Sequence, residues 1–194
     1  MTTLLLVRHG ETDWNSERRW QGHADEPLNE TGRAQAREVA DELADRSIDA
    51  VYSSDLSRAR ETAEIIAARL GLSVTTDARL REVDVGDWSG RLWSEIEQSD
   101  PLALERWHGG LKAWNGGESY EEMGARVVAA VVELAARHQG ETVLVVSHGG
   151  SMRACRASAA GLAYHESREG LGSLANCAVV ELTVAHDRLV APIG

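Results

Sequence analysis

The sequence predicts an α/β fold: a mostly parallel sheet with helices on both faces. Three observations carry that prediction. Short apolar runs stop at glycine-containing polar turns: Leu4-Leu5-Leu6-Val7 leads into Arg8-His9-Gly10-Glu11-Thr12, and Thr142 to Val146 leads into Ser147-His148-Gly149-Gly150. A run of this kind reads as a parallel strand buried on both faces. Amphipathic helical stripes alternate with such runs, the signature of helices packed on a parallel sheet. No linker, repeat or low-complexity tract interrupts the alternation. At 194 residues the chain suits one core and is short for two, so 1–194 is expected to be a single domain.

The elements follow in order. After the first strand, residues 33–46 carry Ala36, Val39, Ala40 and Leu43 at helical spacing. Ala50-Val51-Tyr52 is a third strand, ending in Ser53-Ser54-Asp55. Residues 56–70 form a second helix striped by Leu56, Ala59, Ala63, Ile66, Ala67 and Leu70, with Gly71 placed as its C-terminal glycine. Asp55 is its expected N-cap. A strand is expected near Val74 to Thr76. Between Gly86 and Gly117 the pattern weakens, and Trp88, Trp93, Trp107, Trp114 and the lone lysine, Lys112, mark a cap or lid over the sheet edge. Ser119 and Glu122 form a capping box for a helix that buries Met123, Val127, Ala130, Val131 and Leu134. A further helix spans about Ser151 to Gly161. The closing strand, from about Cys177 to Val184, is expected at a sheet edge, where a second copy could pair to give a homodimer.

Composition excludes several classes. Lys plus Arg is 20 and Asp plus Glu is 31, a formal net charge of −11. So acidic a chain repels nucleic acid and anionic membrane unless its cations are concentrated locally. Cys155 and Cys177 fit no metal-ligand spacing and no disulfide framework. The first residues lack the cationic region of a signal peptide, and no run approaches the ~18 apolar residues of a membrane span. A reduced, cytoplasmic protein is expected.

The chemistry gathers at strand ends, where open α/β sheets bind ligands. His9 and His148 each follow a buried strand. Each alone would be read as a satisfied structural histidine. Arg8 beside His9 changes the reading, because a cation at the end of a buried strand is costly unless an anion compensates it. Gly149 and Gly150 would let a ligand approach the backbone closely. Arg58 falls off the apolar stripe and would by default be solvated. It stands in the first helical turn, where the dipole disfavours a cation and a bound anion would compensate both. Glu82, Asp84 and Asp87 are equally good candidate acids on these grounds. Two imidazoles and two guanidiniums at one sheet edge suit a tetrahedral dianion and its transfer.

The motifs resemble those of the histidine phosphatase superfamily, in its phosphoglycerate mutase-like branch. They are Arg8-His9-Gly10-Glu11-Thr12; Ser54-Asp55-Leu56-Ser57-Arg58-Ala59 with Thr62-Ala63; Leu80-Arg81-Glu82 leading to Gly86-Asp87-Trp88; and Ser147-His148-Gly149-Gly150. Leu28-Asn29 with Gly32 and Gln35-Ala36, and Gly117-Glu118-Ser119, also look like the family's pattern. The motifs keep the family's order and span nearly the whole chain. The resemblance implies a three-layer α/β/α sandwich and a phosphohistidine intermediate. It implies that His9 attacks phosphorus, that Arg8, Arg58 and His148 hold the transferred oxygens, and that Glu82 is the proton donor. Asn15, Gln21 and Gly22 match positions that contact phosphate or substrate in relatives.

The family holds both phosphatases and mutases. Cofactor-dependent mutases carry a longer insertion with adjacent arginines between the positions of Glu82 and His148. Here that interval is short and tryptophan-rich, and the pair Arg18-Arg19 lies in the first loop instead. A metal-independent, cofactor-free phosphatase acting on a small phosphorylated metabolite is the expectation, with a leaving group of apolar or sugar-like surface. A phosphoglycerate mutase is the alternative within the family. Relatives process sugar phosphates, glucosyl-3-phosphoglycerate, α-ribazole phosphate and phosphoserine, and the cap does not choose among them. Outside the family's activities stands a regulatory domain that binds phosphorylated ligands without turnover. A metal site using His9, His23, His108 or His148 is disfavoured by the neighbouring arginines. Dinucleotide binding lacks its glycine motif after the first strand.

Overall fold

The computed structural model describes residues 1–191, apart from the side chains of Leu104, Arg168 and Glu169. Strand β1 (Thr2–Arg8) is followed by a single turn of helix, α1 (Asp13–Ser16), then α2 (Glu30–Glu42), β2 (Ala50–Ser53), α3 (Ser57–Leu70) and β3 (Val74–Thr76). Two 3-10 turns, Ala78–Leu80 and Gly86–Trp88, precede the short helices α4 (Trp93–Ser99) and α5 (Ala103–His108). The chain closes with α6 (Tyr120–Arg137), β4 (Thr142–Ser147), α7 (Gly149–Ala160), α8 (Ser167–Gly170), β5 (Val179–Ala185) and β6 (Arg188–Val190).

The strands form one sheet in the order β3-β2-β4-β1-β5-β6. β3, β2, β4 and β1 are mutually parallel, while β5 pairs antiparallel with both β1 and β6. The apolar runs are continuous because both faces are covered. Leu5, Val7, Leu144 and Val146 point to a core shared with α2 and α3. Leu4, Leu6, Val143 and Val145 point to the opposite core, which holds the Met123, Val127, Val131 and Leu134 stripe of α6 and Met152 and Cys155 of α7. This is the three-layer sandwich that the motifs implied.

Helix ends follow local chemistry. Ser119 and Glu122 form the expected capping box, and Gly71 closes α3 in the left-handed region at φ 70°. α2 starts earlier than its apolar stripe, because Asn29 caps it by accepting from the Gly32 amide at 2.8 Å. Asp55 does not cap α3. Arg81 takes its carboxylate in a two-point ion pair at 2.7 and 2.5 Å, and Leu56 occupies the cap position without a side-chain bond. The closing strand is also not an edge: β5 lies between β1 and β6, so the surface expected to pair with a second copy is already occupied. The edges are β3 and β6, three residues each, too short to template an extended pairing.

Candidate active site

Because β1, β4 and β2 are parallel and adjacent, their C-terminal ends meet at one edge of the sheet. Arg8 pairs in register with Ser147, and the His9 amide donates to the Ser147 carbonyl at 2.9 Å. His9 and His148 are therefore brought side by side, with ring centroids 5.2 Å apart. Both rings are buried.

Each imidazole is oriented by a named partner. His9 Nδ1 lies 2.7 Å from the Gly10 carbonyl, and with the proton on Nδ1 the Nε2 atom keeps its lone pair. His148 Nε2 lies 2.9 Å from Ser54 Oγ, while its Nδ1 is buried with no hydrogen-bond partner. Burial, then the charges of Arg58 and Arg8, hold His9 well below the usual histidine pKa. Burial, then Arg58 and the neighbouring His9, do the same to His148. Both rings are thus neutral.

Arg58 is not the solvated arginine that its helix face alone would suggest: it is 1% exposed. Its Nη1 and Nη2 donate to the carbonyls of Ala24 and Gly22 at 2.7 and 2.8 Å, and its Nε is buried without a partner. Burial, partly offset by Glu82, pushes its pKa down to about 10. Arg8 donates from Nη1 to the Leu174 carbonyl at 2.5 Å, and its Nε is likewise unpartnered. The guanidinium of buried Arg58, that of half-buried Arg8 and the His148 imidazole thus share one neighbourhood, each with a buried polar atom that has no partner. An unsatisfied buried polar atom is costly, and several together suit the oxygens of a bound anion.

Glu82 is singled out from the three candidate acids. It lines the cavity that also holds Arg8, His9 and Arg58, whereas Asp84 and Asp87 do not. Asp84 accepts from the Gly86 amide at 3.0 Å, and Asp87 clamps the Asn115 backbone and side chain at 2.9 Å. The Glu82 oxygens accept from the amides of Val83 and Gly150, both at 2.9 Å. Gly150 is required for that approach, since a Cβ there would lie 2.3 Å from Glu82 Oε1. The Glu82 carbonyl is held from behind by His23 Nε2 at 2.8 Å and Arg126 Nη2 at 3.3 Å.

The remaining expected residues also come together. Asn15, Gln21, Gly22 and Gly149 line the same cavity, of about 730 Å³, while His148 lies fully buried. Gly22 adopts φ +52° and turns its carbonyl onto Arg58. Asn15 Oδ1 closes the α1 capping box and accepts from Asn176 Nδ2 at 3.3 Å. Sequence reasoning missed three residues that hold the site. Ser54 orients His148; Thr62 Oγ1 accepts from the Gly10 amide at 3.0 Å and donates to the Arg58 carbonyl at 2.7 Å; Asn176 donates to the His9 carbonyl at 2.9 Å. Ser54 and Thr62 lay inside quoted motifs, but nothing local marks Asn176. Trp14, Trp20, Trp107, Tyr120 and Tyr164 add aromatic wall. No group of three or more His, Cys, Asp or Glu that could hold a metal ion occurs among the described residues. No helix among them is long and apolar enough to cross a membrane.

Comparison with known proteins assigns the chain to a family. The family model of the histidine phosphatase superfamily (branch 1) matches residues 4–191. The probable phosphoglycerate mutase GpmB of Salmonella choleraesuis is 37% identical over 194 residues, covering 98% of this chain and 89% of that protein. Phosphoserine phosphatase 1 of Hydrogenobacter thermophilus is 40% identical over 156 residues, covering 79% and 74%. A solved mycobacterial glucosyl-3-phosphoglycerate phosphatase in complex with VO3 matches with a TM-score of 0.87 at 34% identity, covering 98% and 99% of the two chains. The chain belongs to the histidine phosphatase superfamily. Within it, the chain is an enzyme of the phosphomonoesterase type with phosphoglycerate mutase-like relatives.

Proposed function

We propose that this enzyme hydrolyses phosphomonoesters of small metabolites through a phosphohistidine on His9, without a metal ion. The observation that carries this reading is the convergence of two neutral, buried imidazoles with the buried Arg58 and the half-buried Arg8, whose Nε atoms are both buried and unpartnered. Phosphoryl transfer asks a protein for positioning and charge stabilisation, and this set supplies both.

His9 Nε2 attacks phosphorus in line, forming the N–P bond as the ester P–O bond breaks. Glu82, in its protonated form, gives its proton to the departing alkoxide oxygen. Glu82 as carboxylate then takes a proton from water, whose oxygen attacks phosphorus. The N–P bond breaks, inorganic phosphate leaves and neutral His9 returns. Arg8, Arg58 and His148 hold the equatorial oxygens throughout. With Ser54 donating to Nε2, His148 carries its proton on Nδ1, the atom without a partner. Asn15, Gln21, Gly22 and Gly149 shape the phosphate's approach. Residues 86–117 serve as the cap of a single domain, with Trp107 on the cavity wall supporting that role.

The test is hydrolysis of p-nitrophenyl phosphate with excess EDTA. Turnover supports the reading; complete dependence on an added dication contradicts it. The mutase name of one relative favours a second reading, phosphoglycerate isomerisation. Rapid formation of 2-phosphoglycerate from 3-phosphoglycerate with a trace of 2,3-bisphosphoglycerate would establish that activity instead.

A further inference from the structure

The Gly117-Glu118-Ser119 motif supplies no residue to the cavity wall, yet it lies against the segment that carries Glu82. The contact is reciprocal. The Glu118 amide donates to the Asp84 carbonyl at 3.0 Å, and the Asp84 amide donates to Glu118 Oε1 at 3.2 Å. Gly117, at φ +57°, permits this approach, since a Cβ there would lie 2.1 Å from the Asp84 carbonyl oxygen. Ser119 caps α6, and about two turns along that helix Arg126 reaches back to the same segment.

All five N–H groups of the half-buried Arg126 side chain find acceptors. Three go to carbonyls that lead up to the acid: Nη1 donates to Arg79 and Arg81 at 2.8 and 3.1 Å, and Nη2 to Glu82 itself at 3.3 Å. The other two meet the Glu118 carboxylate, Nε at 3.2 Å from Oε2 and Nη2 against Oε1. Glu118 thus neutralises the guanidinium and sets the plane of its fork. His23 Nε2 donates to the same Glu82 carbonyl at 2.8 Å, and it lies 3.8 Å from Glu118 Oε1. Only a planar fork with five donors can serve this arrangement, because a lysine ammonium brings three in another geometry. Neither Arg126 nor Glu118 lines the cavity, so neither touches the reacting atoms. Their effect must pass through the backbone from which the Glu82 side chain projects.

We infer that Arg126 and Glu118 are positioning residues for the proton donor: the pair clamps the Glu82 backbone so that its carboxyl meets the leaving oxygen. The inference rests on reading Glu82 as that donor, and it deepens that reading. A general acid contributes about 10²–10⁴-fold, and a misplacement of ~1 Å can cost about 10²-fold. That cost falls on leaving groups that need a proton. An alkoxide needs one, whereas p-nitrophenolate is stable enough to depart without it.

The test follows single-turnover release of the alcohol from full-length protein in excess over ester, which reads the bond-breaking step alone. It compares p-nitrophenyl phosphate with the alkyl ester that the unmodified enzyme cleaves fastest among 3-phosphoglycerate, phosphoserine and fructose 6-phosphate. Arg126→Lys and Glu118→Gln should each slow alkyl release by about 10–100-fold and p-nitrophenol release by less than about threefold. Vanadate affinity should stay within about twofold of the parent, because the cage around His9 is untouched. Arg137→Gln, at an exposed arginine on the same helix, is the control and should match the parent. In a Glu82→Gln background, where the proton is already lost, either substitution should cost less than about twofold more. Should Arg126→Lys fail to fold, Glu118→Gln carries the same comparison. Equal losses with both esters, a matching loss of vanadate affinity, or a full further loss beside Glu82→Gln would describe a merely structural pair and overturn the inference. Normal alkyl release by Arg126→Lys and Glu118→Gln, beside a slow Glu82→Gln, strikes the clamp alone. Normal alkyl release by Glu82→Gln strikes the donor reading, and the clamp falls with it.

Discussion

Replacing Arg58 with methionine separates the cost of burying its charge from the use of that charge. The guanidinium is fully buried, has no carboxylate partner among the described residues, and its pKa is pushed down to about 10 by burial. Holding that charge costs the empty protein on the order of 3 kcal/mol, at ~1.36 kcal/mol per pKa unit. Arg58→Met removes this cost but strips a donor from each of the Gly22 and Ala24 carbonyls, at ~1–3 kcal/mol apiece. The two effects oppose each other, so without ligand the variant should unfold within about 3 kcal/mol of the parent. The anion response should not survive. At a ligand concentration of ~100 Kd, phosphate or vanadate stabilises the parent by ~2.7 kcal/mol. For a domain of this size that raises Tm by about 5–11 °C. Thermal unfolding with and without the anion should show this rise in the parent and little or none in Arg58→Met. Hydrolysis should fall by about 10²–10³-fold, the usual loss when a preorganised donor leaves a dry site. A variant that keeps the full anion-induced shift, or near-normal turnover, refutes the assignment of Arg58 to the oxyanion cage.

Three further outcomes follow from the same geometry. His9 and His148 are neutral when folded and take up protons near the ordinary ~6.5 when unfolded, so the unfolded state binds more protons as pH falls. Stability should drop below pH ~6.5 by up to ~1.4 kcal/mol per pH unit for each ring, continuing down to the lowered folded values; urea titrations at pH 7.5 and 5.5 that agree would contradict this. Ser54→Ala removes the hydroxyl that orients His148, and should lower kcat by about 10–100-fold with little change in KM and a loss of ~1–3 kcal/mol in stability. Unchanged kcat would remove Ser54 from the site. Gly150→Ala places a Cβ against Glu82 Oε1 and should cost about 10²-fold or more in hydrolysis. Full activity in that variant would show that Glu82 need not hold its position.

The strands and the two histidines were legible because their signals are local. Leu4 to Val7 and Thr142 to Val146 are apolar on both faces, and a residue following such a run must emerge at the sheet edge. What escaped was set by partners distant in sequence. Arg58 was placed at the site by its first-turn position, but its full burial depends on the carbonyls of Gly22 and Ala24, 36 and 34 positions away. Asp55 has the right type and place for an N-cap, but Arg81 offers a charged, two-point partner that outcompetes an amide. β5 looked like an edge because its cover, β6, is a three-residue strand with no periodicity to read. The choice of Glu82 over Asp84 and Asp87 came from the motif resemblance, and the local contacts now supply its reason: both aspartates are engaged in shaping the loop.

The most direct measurement is the fate of the phosphoryl group. Rapid acid quench after mixing with a labelled phosphomonoester should leave acid-labile, base-stable label on the protein, mapped by peptide analysis to His9, and Glu82→Gln should prolong its lifetime. Label that persists in a folded His9→Ala protein, or turnover with no labelled protein at any time resolved, would contradict a nucleophilic His9.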